Sequence, residues 1–142
     1  MKIDWIDSKL GLSGAIDDYN ELERQQVKAV INLRSEMHDD VLELTKRGIA
    51  YYWLPLVDNL APSMSFHMPI LRRILKDIGS DRVLIHCTQG IGRSASIALM
   101  YIIDKLEVSP ESALLILKDV RPSVHMTDVQ LNKVKQYYER ER

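Results

Sequence analysis

The chain has 142 residues with a formal net charge of −1, 46% hydrophobic and 27% charged residues, the balance of one soluble globular domain with a single good core. That charge excludes a broad basic face gripping nucleic acid by phosphate neutralisation. A lone cysteine, Cys87, excludes an internal disulfide and any cysteine-based zinc cluster.

The interrupted, charged N-terminus (Met1 to Asp7) has no signal-peptide pattern, and no apolar run approaches the ~18 residues of a membrane span. A cytoplasmic, reducing location is expected. Neither a metal nor a cofactor is expected, and a monomer is the favoured state.

In chain order, residues 10–14 (LGLSG) read as a short strand ending in a turn, and 17–25 as a short helix. Residues 27–33 (VKAVINL) and 49–54 (IAYYWL) are β-branched and aromatic strands. Between them, 38–47 is expected to be a helix with Val41, Leu42 and Leu44 facing inward and Gly48 as its stop. Leu71, Ile74, Leu75 and Ile78 repeat at helical spacing, with Pro69 in the first turn and an end near Gly79.

The all-apolar run 83–85 predicts a buried, central strand of the parallel kind, followed by a largely buried helix over 92–105. Ser109-Pro110 opens another helix, with Ala113, Leu114, Leu117 and Val120 as its stripe. Thr127 and Gln130 form a capping-box pattern that starts the last one, to about Tyr138. The order β-β-α-β-α-β-α-β-α-α-α predicts an α/β fold over 1–142, a mostly parallel central sheet with helices on both faces.

The chemistry concentrates in Ile85-His86-Cys87-Thr88-Gln89-Gly90-Ile91-Gly92-Arg93-Ser94. The cysteine sits in a strand–loop–helix turn, where unpaired backbone N–H groups and the helix dipole stabilise an anion. A thiolate belongs there, and so does a phosphate. The same donors lower a thiol from its free value near ~8.5. Arg93, six residues on, offers a planar bidentate fork to phosphoryl oxygens. Gly90 and Gly92 let the loop bend, Ser94 donates to the departing sulfur, and His86 orients the loop or helps hold the thiolate. The residues Thr88, Gln89, Gly90, Ile91, Gly92 and Arg93 are the phosphate cradle.

The pattern His-Cys-x-x-Gly-x-Gly-Arg-Ser is similar to the Cys-x5-Arg loop of cysteine-dependent protein tyrosine phosphatases. In length and surroundings the chain most resembles the small dual-specificity branch, including its compact archaeal and atypical members. The likeness extends from about Leu10 to Tyr138 and takes in Ala29 to Arg34, Leu56-Val57-Asp58, Arg121-Pro122 and Gln130.

The resemblance implies a protein tyrosine phosphatase-like fold and a cysteinyl-phosphate intermediate. It also implies that Asp58, 29 residues before Cys87, is the general acid, so that the pH profile is a bell with Cys87 ionised and Asp58 protonated. Gln130 is a candidate for positioning water, with a purely structural capping role as the alternative; the Asn usual before it is absent. Arg34 is a candidate for the pocket rim. Arg121 and His125 are candidates for positive charge at its mouth, a solvated helix end being the other reading.

The expected substrate is a phosphorylated protein or peptide, phosphotyrosine and also phosphoserine or phosphothreonine, because no long insert walls a deep tyrosine-selective pocket. The uncharged Thr88, Gln89 and Ile91 weigh against the alternatives, RNA 5′-phosphates or phosphoinositides. A non-catalytic phospho-binding module is the third reading.

Overall fold

The computed structural model describes residues 1–140. The elements run β1 (Asp4–Trp5), β2 (Leu10–Ser13), α1 (Tyr19–Arg24), β3 (Val27–Arg34), α2 (Val41–Lys46), β4 (Ala50–Leu56), α3 (His67–Ile78), β5 (Arg82–His86), α4 (Arg93–Leu106), α5 (Pro110–Val120) and α6 (Asp128–Arg140). The sheet order is β1-β2-β5-β3-β4, parallel except for β1. The apolar strand preceding the cysteine is therefore central, as its sequence predicts.

Alternation along the inner strands splits the core by face. On one face Ala29, Ile31, Leu33, Val83 and Ile85 pack with residues of α3, α4, α5 and α6. On the other, Val27, Val30 and Leu84 meet Leu22 of α1 and Leu44 of α2. Each fully buried leucine or isoleucine contributes about 1.5–3 kcal/mol, so the larger cluster carries most of the stability. α4 buries ten of its residues, including Ala95, Ile97, Leu99 and Met100, and so fixes the loop that precedes it. No helix of the described residues is long and apolar enough to cross a membrane.

Three expectations need correction. The helix after β3 is shorter than 38–47, and Val41 and Leu42 are exposed; only Leu44 is buried. Asp40 caps it by accepting from Glu43 N–H at 3.0 Å, while His38 and Asp39 are drawn out of helical conformation by contacts to Tyr51 and Arg34. β4 runs on through Pro55 to Leu56, which a proline permits because β4 is an edge strand. In α5, Ala113 and Leu117 are buried whereas Leu114 and Val120 are only half-buried.

Candidate active site

Loops that follow parallel strands gather at the carboxyl edge of the sheet, and a ligand site is expected there. Here the loop 87–92 leaves β5, and its neighbours are the loops after β3 (residues 35–40) and β4 (57–66). Together they enclose a pocket of about 300 Å³ lined by Cys87, Thr88, Gln89, Ile91, Gly92 and Arg93, with Glu36, Asp58 and Asn59 opposite and His125, Thr127 and Gln130 closing one side.

Cys87 is buried at the pocket floor. Its Sγ lies 3.3 Å from Ser94 Oγ and accepts the Gly90 N–H at 3.2 Å. Burial pushes the thiol up, but the Ser94 hydroxyl and N–H, the Gly90 N–H and the Arg93 charge outweigh it and hold it below its ordinary value. Gly90 is needed for its backbone: φ is 71°, and a Cβ there would sit 2.5 Å from Ser13 C and 2.8 Å from Arg121 Nη2.

Arg93 is buried, and four of its five N–H groups are committed. Nη1 donates to Glu36 Oε1 at 2.7 Å and to Leu56 O at 3.0 Å. Nη2 donates to Glu36 Oε2 at 2.8 Å and to Thr88 Oγ1 at 3.2 Å. Among the described residues, Arg93 Nε is the buried side-chain nitrogen with no hydrogen-bond acceptor. Asp58 Oδ1 stands 3.6 Å from it. A buried, charged donor left unmatched is costly, and here it belongs to a residue that lines the pocket with Cys87. Asp58 itself is 73% exposed at its side chain.

The sequence motif thus converges in space. Cys87, Thr88, Gln89, Ile91, Gly92, Arg93, Asp58 and Gln130 line one pocket, Gly90 bends the loop, and Ser94 and His86 lie beneath it, both 0% exposed. Gln130 makes the full capping box: Oε1 accepts from Thr127 N at 2.9 Å, and its own N–H reaches Thr127 Oγ1 at 3.2 Å. Its Nε2 also donates to Leu60 O at 3.0 Å, and Thr127 Oγ1 donates to Asn59 O at 2.9 Å. α6 thereby straps down the loop carrying Asp58.

Arg34 is not at the rim. It is buried against Asp39 and Asn32, because a bulge between Asn32 and Arg34 turns it inward. Arg121 supports the loop from behind, donating to Gly90 O at 3.0 Å, Gln89 O at 3.1 Å and Asp4 Oδ2 at 2.8 Å. Of the two mouth candidates, His125 lines the pocket. Sequence reading missed Glu36. The signal was the parallel pairing of β3 with β5, which brings any polar residue just past β3 beside the cysteine loop.

A buried thiol held below its ordinary value on a strand–loop–helix turn, with a buried arginine Nε–H that has no hydrogen-bond acceptor and an exposed carboxylate 3.6 Å from it, is an arrangement suited to binding an anion beside a thiolate. Residues 11–140 match the model of the dual specificity phosphatase catalytic domain, and the chain belongs to that family. It is 25% identical over 109 residues to the dual specificity protein phosphatase Mpk3 of Drosophila melanogaster, covering 75% of this chain and 26% of that one.

It is also 26% identical over 119 residues to a probable dual specificity protein phosphatase of Dictyostelium discoideum, covering 83% and 29%. The chain spans under a third of the length of these curated relatives. A crystal structure of Tk-PTP in the active form superimposes with a TM-score of 0.85 at 29% identity, covering 97% of both chains. PTPMT1 shares the fold, with a TM-score of 0.81 at 22% identity, over 97–98% of this chain and 95% of that one.

Proposed function

We propose that this chain is a phosphoric monoester hydrolase acting on phosphotyrosine and on phosphoserine or phosphothreonine in proteins. The observation that carries it is the pair formed by Cys87 Sγ at the pocket floor and the Arg93 Nε–H, which lacks a hydrogen-bond acceptor, in the same pocket. The thiolate attacks phosphorus, an S–P bond forms and the ester P–O bond breaks. Asp58 gives its proton to the leaving oxygen. Water then attacks phosphorus, Asp58 takes up its proton, and the S–P bond breaks with the Ser94 hydroxyl donating to the departing sulfur. The loop N–H groups and Arg93 stabilise the charge on the equatorial oxygens throughout. Gln130 Nε2 keeps a second hydrogen beyond the one given to Leu60 O, and Oε1 a second lone pair beyond the one facing Thr127 N–H, enough to hold the water of the second step.

The pocket lining favours a single phosphate flanked by peptide. Two carboxylates, Glu36 and Asp58, stand in it, and Arg93 is its one Lys or Arg among the described residues. Further phosphates, as on an inositol ring or an RNA 5′-triphosphate, meet repulsion there. PTPMT1, whose fold is shared, has been captured with PI(5)P, so the lipid reading is the natural competitor. A lone reactive thiol suits a reducing compartment such as the cytoplasm.

Phosphate release from phosphotyrosine peptide, phosphoserine peptide, a phosphoinositide and 5′-triphosphorylated RNA separates the readings. Both peptides are expected to turn over faster than lipid and RNA. Lipid or RNA as by far the best substrate overturns the protein reading.

Glu36 aligns the fork rather than reacting. Its bidentate hold on Arg93 keeps its carboxyl at about 2, well below the usual carboxylate range, so it stays ionised near neutrality and adds no limb to the pH profile there. Glu36→Gln is expected to lower kcat/KM by about tenfold through a looser Arg93, with an unchanged pH profile. A profile that shifts with the substitution would show that Glu36 titrates in the reaction.

A further inference from the structure

Asp58 lies just past the end of β4 with most of its side chain in solvent, so its placement over the pocket depends on what holds the backbone beneath it. Thr127 and Gln130 hold the residues that follow, at the Asn59 and Leu60 carbonyls. On the preceding side stands His67, the first residue of α3, half-buried. Its Nε2 is 2.8 Å from the Pro55 carbonyl oxygen of β4. Its Nδ1 is 3.0 Å from the Ser63 backbone nitrogen and 3.2 Å from Ser63 Oγ. Pro55 and Ser63 flank the segment that carries Asp58, and one imidazole ring spans them.

The two backbone partners fix the ring's hydrogens. A backbone N–H only donates, so Nδ1 accepts; a carbonyl oxygen only accepts, so Nε2 carries the hydrogen. The contacts therefore select the neutral Nε2–H tautomer. The Nδ1 side also serves the helix. Phe66, at the N-cap of α3, gives no side-chain cap. Ser63 supplies one instead, its Oγ accepting the Phe66 and His67 N–H groups at 3.1 and 3.3 Å and its carbonyl the Met68 N–H at 3.0 Å. The Nε2 side has no part in that cap. It ties the end of β4 to a helix that Met68, Leu71 and Ile74 seat in the core.

We infer that His67 is a positioning residue for the proton transfer. Its Nε2–H fastens the end of β4 to the start of α3, and with Thr127 and Gln130 on the far side it fixes the backbone under Asp58. This role presupposes that Asp58 is the general acid. An acid must lie within hydrogen-bond reach of the oxygen it protonates, and a displacement of about 1 Å is enough to cost rate. The cost falls on esters whose leaving group needs the proton. Attack by Cys87 does not pass through this contact, so an activated aryl phosphate is spared.

Two variants of the full chain separate the fastening from the helix cap. In His67→Asn the shorter amide keeps an acceptor for the Ser63 N–H and falls short of Pro55. In His67→Gln the longer amide restores a donor to the Pro55 carbonyl. On a phosphoserine peptide, kcat/KM is expected to fall about tenfold in His67→Asn and to recover most of that in His67→Gln. On an activated aryl phosphate both variants should lose less than about twofold. Backbone amide hydrogen exchange over residues 56–61 should quicken in His67→Asn and return toward the wild-type rate in His67→Gln. Equal losses on the two esters, or an unchanged phosphoserine rate in a folded His67→Asn protein, overturn the inference. Imidazole nitrogen shifts of the wild type at mildly alkaline pH are expected to show hydrogen on His67 Nε2 alone. Hydrogen on Nδ1 overturns the inference too, and this measurement decides should the variants fail to fold. A selective loss in Asp58→Ala beside an unselective one in His67→Asn removes the fastening and leaves the acid in place. An unselective Asp58→Ala removes the acid itself, and the role of His67 with it.

Discussion

Cys87→Ser is expected to lower phosphate release from every ester by at least about 10³-fold, as loss of a nucleophile does elsewhere, while the protein still folds and still binds a phosphopeptide. Serine is nearly isosteric, and the floor it enters is already lined by the polar Ser94 hydroxyl and the Gly90 N–H, so the fold has little to lose. What disappears is an anion.

The donors around the sulfur hold the thiol below its ordinary value despite burial, and a hydroxyl lies too far up the scale for the same donors to ionise it at neutral pH. The wild-type rate should therefore rise with pH as the thiolate forms, on a limb lying below the usual thiol range, and the alkylation rate of Cys87 should follow that limb. Phosphopeptide titration by calorimetry checks the binding half of the prediction. Turnover persisting in Cys87→Ser at a tenth of the wild-type rate would place the chemistry elsewhere.

Most of this machinery was legible in the sequence because its parts are contiguous. From Ile85 to Ser94 the strand, the bend, the cysteine, the arginine and the helix start are adjacent in the chain, and backbone geometry alone puts their donors in one place. The order of elements was legible for a related reason: apolar runs and helical spacings mark what is buried on each face. What escaped was held by long-range pairing. Glu36 lies in a loop of ordinary composition, and its meaning appears only once β3 pairs with β5 and sets that loop against Arg93.

Arg34 was misplaced for the same reason. A residue at a strand end has two faces to choose from, and a bulge reversed the simple alternation. Val41 and Leu42 were assigned inward by composition, but a helix as short as Val41–Lys46 covers the sheet with one side chain, Leu44. Gln130 shows a third case. The capping pattern and the catalytic pattern fall on the same residue, and the structure realises the cap while still leaving the amide at the pocket wall.

Asp58→Ala should discriminate between esters, and the size of that difference is what identifies a general acid. An alkoxide leaving from phosphoserine needs a proton as the P–O bond breaks, so its loss of the acid is expected to cost about 10²–10⁴-fold. An activated aryl phosphate expels a stabilised phenolate and should lose no more than about tenfold. The geometry accommodates this role.

Asp58 lies just past β4, its side chain mostly in solvent and its Oδ1 3.6 Å from Arg93 Nε. A phosphoryl oxygen arriving at that Nε takes the place the carboxylate now faces, and the acid is left beside the oxygen that departs. The loop below it is anchored at Asn59 and Leu60 by Thr127 and Gln130, so only the side chain need turn. Asn59 holds the bend with φ at 68°, a conformation that asparagine tolerates better than most residues. Rates on phosphoserine peptide and on an aryl phosphate, measured side by side at one pH, are the check. Equal small losses on both would remove Asp58 from the proton transfer and leave it as a residue that only faces Arg93.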